Sequence, residues 1–219
     1  VITDMIGGII TLLKTGEITI LNEGTVSSMT GGDIKTMNDG TVTAMSGGTI
    51  TDMTGGDVLL MSNGEITNID GGIVTEMTGG LMGNLNFGGT LSLFNGGTIN
   101  NFNNGELTVW DLGTINNLNT GTIYLVQDNN LIINMKGGVV NSIIGGEIRN
   151  VDAGTIDLMT GGLITNFNTN GIMTLWNGGT ITNWNGATLN GWDGIDTGWQ
   201  SGTITNLNTG TIKLVQTGN

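Results

Sequence analysis

The side chains that most often carry proton or covalent chemistry are scarce in this sequence. It has no His and no Cys, which excludes an imidazole base, a thiolate nucleophile, a thiolate metal site and a disulfide framework. Proton transfer would fall to the 18 Asp and Glu residues. These are spread along the chain, with no spacing that converges a pair on one scissile bond, so no enzyme activity and no cofactor are expected. Gly-Gly steps beside Asp raise the question of calcium, for which the nonapeptide GGxGxDxUx is the known sequence signal. Here Asp is absent from most repeats at any fixed place, so a solvated charged face is expected and no metal site. Indole is the remaining chemistry, since a Trp ring stacks on sugars and carries one donor. Residues 191–201, GWDGIDTGWQS, gather Trp192, Asp193, Asp196 and Trp199. These four are the candidate binding residues, with a host-surface glycan as the ligand.

What must position such residues is a repeat. The sequence matches itself every eight residues: GTVTAMSG from Gly40, GTITDMTG from Gly48 and GTITNWNG from Gly179 share the form G-x-Φ-T-x-Φ-x-G. About 27 octads fill residues 1–219 as a single repeat domain. The register slips by one extra residue near Gly88, Asn129 and Asn170, and by one deletion between Asp193 and Ile195. Octad position 3 holds Ile, Val, Leu or Met, and position 6 holds Met, Leu, Ile, Val, Phe or Trp. All 11 Met and all 5 Trp fall on these two positions, which are therefore the core. Charges occupy the other places, and Asp196 is the one charge on a core position. That irregularity coincides with the deletion and two Trp, and local departures from a pattern are where function is expected.

Position 6 changes along the chain, from Met and Leu up to Leu85 to frequent aromatics at Phe94, Phe102, Trp110, Phe167, Trp176, Trp184, Trp192 and Trp199. A widening core explains these better than a row of sugar platforms. Gly at the octad boundaries supplies the positive φ of a corner, and Thr, Ile and Val between corners favour short strands. Core positions three apart do not fit a flat strand, so the strand must kink within each octad.

The expected fold is all-β: an elongated, triangular β-prism of stacked octads. One chain could climb by three octads, about 24 residues, per coil, or three chains could interleave. No 24-residue period stands out, which favours the intertwined homotrimer. A net charge of −13 with five basic residues argues against nucleic-acid partners, and the lack of an 18-residue apolar run argues against a membrane span. The sequence begins inside an octad, so more chain is expected before Val1. Gly113–Gln127 and Gly202–Gln216 are near-duplicates, as suits a spacer that grows by copying.

The octads, with their abundant Gly, Thr and Asn and their acidity, resemble the triple-stranded β-helices of tailed-phage needles and tail-fibre shafts. The resemblance implies a structural virion protein that supports a receptor-binding or piercing tip, with other tail or baseplate proteins as partners. A bacterial extracellular adhesin or filament would obey the same physics. Thr-x-Thr pairs at Thr41/Thr43, Thr49/Thr51, Thr180/Thr182 and Thr203/Thr205 resemble the ice-binding face of some β-solenoids, which leaves a monomeric glycan- or ice-binding module as the alternative. Glu17, Glu65, Asn116 and Lys213 interrupt that pattern.

Overall fold

The computed structural model describes residues 1–190 and 201–212. Every regular element among them is a strand, and parallel pairing builds a β-solenoid of about 12 turns. The all-β, β-helical expectation is met. The coil, however, is shorter than expected. Ile2 pairs with Ile18, Ile18 with Ile34 and Ile34 with Ile50, so each side finds its neighbour sixteen residues away in the same chain. Two octads make one coil, and the three-sided prism gives way to two facing sides. Two sheets about 10 Å apart are filled by the two core residues that each octad provides.

The chain divides into two compact units, Val1–Gly113 and Thr114–Asn219. In the first, a continuous extended segment, Thr41–Met77, runs through several corners. Its burial repeats with the octad: Val42, Met45, Ile50, Met53, Val58 and Met61 are all fully buried. The two residues between core positions both remain partly or wholly open, as in Thr43-Ala44 and Thr51-Asp52, which is the kink inferred from the spacing of three. Corners require Gly for two reasons at once. At Gly48 φ is +86°, and a Cβ would lie 2.5 Å from the Gly32 carbonyl oxygen and 2.7 Å from Met29 Cε. The Met of one coil thus fills the space left by the missing side chain of the next.

The extra residue near Gly88 is taken up by a tight turn. The Gly89 amide donates to the Asn86 carbonyl at 3.1 Å, and Gly88, third in the turn, has φ +97°, as a type II turn demands. Pairing beyond it is offset by seventeen, Met82 with Ile99 and Leu85 with Phe102.

In the second unit Ile132 pairs with Ile148, Ile148 with Ile164 and Ile164 with Ile181. Its first extra residue makes the same kind of turn: Asn130 N donates to the Gln127 carbonyl at 3.1 Å, with Asn129 at φ 69°. Asn130 occupies the corner in place of Gly and is 2% exposed; its Oδ1 accepts from the Gln127 amide at 2.9 Å. The extra residue at Asn170 shifts the register between Val151 and Ala153.

Candidate functional site

Coils of sixteen give the solenoid two outer faces, and octad position 5 separates them. On one face, called here the Asn face, this position is Asp52, Asn68, Asn84 and Asn101 in the first unit. An amide both donates and accepts, so identical amides one strand spacing apart can link end to end. Asn68 Nδ2 donates to Asp52 Oδ1 at 2.8 Å, Asn84 to Asn68 at 2.7 Å and Asn101 to Asn84 at 2.8 Å. A second ladder runs beside it at position 7, from Asn86 to Asp70 at 2.7 Å and from Asn103 to Asn86 at 2.9 Å. The second unit repeats both. Asn150 donates to Asn134 at 3.0 Å and Asn166 to Asn150 at 2.8 Å, while Asn168 donates to Asp152 at 2.7 Å and Asn185 to Asn168 at 3.1 Å.

Asp52, Asp70 and Asp152 stand at the foot of such runs. A carboxylate only accepts, so it can begin a ladder above a residue that offers no matching amide, here Thr36, Thr54 and Lys136. Their chemistry is structural, a charge-assisted first rung. The ion pairs add little: Lys35 lies 3.8 Å from Glu17 and 3.9 Å from Asp33, and Arg149 lies 3.4 Å from Glu147, all at the surface. Among the described residues no group of three or more potential metal-binding side chains gathers.

On the opposite face position 5 is Leu12, Ser28, Ala44, Leu60, Glu76, Leu93 and Val109 in the first unit, and Leu125, Ser142, Leu158 and Leu175 in the second. Leu and Val recur on the outside of this face among polar side chains such as Ser28, Asp57, Glu76 and Ser142, and it is called here the apolar face. Leu12 and Val109 are 44% and 45% exposed.

The aromatics at octad position 6 before residue 190 are core. Phe94, Phe102, Phe167, Trp176 and Trp184 are fully buried. Phe94 stacks on Trp110 with centroids 5.9 Å apart, and Phe167 meets Trp184 edge-on at 5.0 Å. The indoles spend their donors inside: Trp176 Nε1 donates to the Gly178 carbonyl at 2.6 Å and Trp184 Nε1 to the Ala187 carbonyl at 3.0 Å. Trp192, Asp193, Asp196 and Trp199 lie outside the described residues. In the first unit the Thr-x-Thr pairs divide between faces, with Thr41/Thr43 on the apolar face and Thr49/Thr51 on the Asn face, while in the second unit Thr180/Thr182 and Thr203/Thr205 lie on neighbouring strands of one side, so no Thr lattice extends beyond two coils. Two exposed aromatics escaped sequence reasoning, Tyr124 on the outside of its side and Phe87, 78% exposed, which is thrust outward by the Asn86–Gly89 turn. It borders an open hollow of about 210 Å³ lined also by Thr90, Asn104 and Glu106. The extra residue before Gly88 was the signal for it.

No protein-family model matches this chain, and no curated protein or solved structure matches it.

Proposed function

We propose that the chain is a structural spacer of an extracellular assembly, in its finer form the shaft of a virion tail fibre, spike or needle that holds a receptor-binding or piercing tip away from its base. The observation that supports this reading most is the coil-to-coil identity of the contacts. Core columns repeat the same kind of contact from coil to coil, and Asn ladders link successive coils within each run, so a whole coil can be gained or lost with like still facing like on both sides. The near-duplicate segments fit this growth: Thr114 and Thr203 start equivalent sides of the Asn face, and Asn117 and Asn206 both stand at position 5.

Excision tests it. Deleting residues 48–63 removes one coil and should leave the strand content and cooperativity of unfolding unchanged. The distance between spin labels at Glu17→Cys and Thr98→Cys should fall by about 4.8 Å. Deleting only residues 48–55 carries every later side to the opposite face, so that Leu60 stands above Thr36 and Asn68 above Ala44. The ladder of Asn68, Asn84 and Asn101 moves as a whole, but like no longer faces like on either side of the junction, and the melting temperature should fall by more than for the whole coil. Equal tolerance of both deletions, or collapse after either, would remove the basis for a length-adjustable spacer.

A glycan-binding module is the second reading, favoured by Phe87 beside its polar hollow, because an exposed ring next to a carboxylate and an amide suits a sugar. Binding on a glycan array that Phe87→Ala abolishes would move the conclusion to that reading.

A further inference from the structure

We propose that the Asp39–Gly40 step is a site of spontaneous isoaspartate formation, at which the Gly40 nitrogen closes onto the Asp39 side chain. This is independent of the spacer and glycan readings. Asp39 and Gly40 form the corner that joins the strands Thr25–Met37 and Thr41–Met77. Asp39 is exposed, Gly40 follows it at φ +96°, and the Gly40 amide donates to Asp39 Oδ1 at 2.8 Å. The carboxyl is thus folded back on the next peptide nitrogen of its own chain. Its Cγ is one bond from Oδ1, and a turn about the Cβ–Cγ bond presents the face of that carbon to the nitrogen. Holding reacting groups together in this way is a chief source of rate in intramolecular reactions.

The neighbouring coils leave the carboxyl in that place. Sixteen residues before Asp39 stands Glu23 and sixteen after it Gly55, so neither side chain offers it an amide. A second Asp–Gly step, Asp70–Gly71, shows the alternative. Asp70 Oδ1 accepts from Asn86 Nδ2 at 2.7 Å, which holds its carboxyl in the ladder toward the next coil, and the step lies inside the extended segment Thr41–Met77. The same two residue types are therefore poised to react at one place and engaged elsewhere at the other.

In the step the Gly40 nitrogen forms a bond to Cγ and gives up its proton, the protonated carboxyl loses its hydroxyl, and the two leave together as water. The product is a cyclic imide. Water then opens it at either of its two carbonyls. Cleavage of the new bond from nitrogen to Cγ restores Asp39, whereas cleavage of the original peptide bond to Gly40 leaves the chain running through the side-chain carbon. That isoaspartate carries an extra methylene in its main chain. It falls where Thr41 N donates to the Gly24 carbonyl at 2.9 Å and Asp57 N to the Gly40 carbonyl at 2.9 Å, so conversion should loosen the corner.

The experiment ages the folded full chain in water enriched in the heavy oxygen isotope, beside the same chain in concentrated urea. Peptide mapping reads the heavy oxygen that imide opening leaves at each Asp, and resistance to an endoproteinase that cuts before Asp reads isoaspartate. In the folded chain, residue 39 should convert at least about tenfold faster than residue 70, since one carboxyl is positioned and the other is not. In urea the two rates should converge, because neither the corner nor the ladder persists. No heavy oxygen at residue 39, equal conversion at 39 and 70 in the folded chain, or a preference for 39 that persists in urea would overturn the proposal.

Discussion

At the scale of single residues, the same carboxamide serves or fails according to what it must donate. Asn84 gives its Nδ2 to Asn68 and takes a bond from Asn101, so Asn84→Asp keeps the acceptor, loses the donor and turns a carboxylate toward the Asn68 oxygen. A cost of about 1 kcal/mol is expected for this half-buried site. Asp52→Asn keeps what that position must do, which is to accept from Asn68, and should change stability by less than about 0.5 kcal/mol. Urea unfolding of the two variants checks the asymmetry, and equal costs would show the ladder direction to be wrong. Met53 is fully buried, and Met53→Asp sets an unpaired charge in the core. It should abolish cooperative unfolding of its unit, a loss visible in the same urea curves.

At the scale of the element, the octad itself was legible. Apolar residues three apart and Gly at each boundary announce a kinked side and a corner, and Ile50, Met53 and Gly48 occupy the places those types dictate. A Gly48→Ala variant meets both the positive φ and the Gly32 carbonyl, and a cost above about 1 kcal/mol is expected. A melting temperature equal to that of the wild type would contradict the corner assignment. The length of the coil was written in the core, where position 3 alternates Ile18, Val26, Ile34, Val42, Ile50, Val58, Ile66 and Val74, but both are β-branched and fit one octad template, so the alternation is easily passed over. The residues outside the core carry it more plainly. Position 5 alternates between Leu60, Leu93 and Val109 on one side and Asn68, Asn84 and Asn101 on the other, a period of sixteen hidden beneath a period of eight. The buried Trp176 and Trp184 follow from holding position 6, whereas Phe87 is exposed by an inserted turn that breaks the pattern, so its surroundings could be read only from coordinates.

At the scale of the whole molecule, the question is whether neighbouring strands belong to one chain or to several. Interleaved chains would give each strand neighbours from other copies, and a three-octad coil would give it a neighbour 24 residues on. The register here joins Ser28 to Ala44 and Thr36 to Asp52, within one chain and sixteen apart, and on it rest the two faces, the Asn ladders and the coil-by-coil spacer. Because the chain has no Cys, paired cysteines report this register without interference. Adjacent strand partners are close enough for a disulfide. The most direct measurement is therefore non-reducing electrophoresis with peptide mapping of oxidised Ser28→Cys/Ala44→Cys beside Ser28→Cys/Asp52→Cys. The account predicts a disulfide within one chain for the first pair and none within a chain for the second; a link across 24 residues, or links for the first pair only between chains, would contradict it.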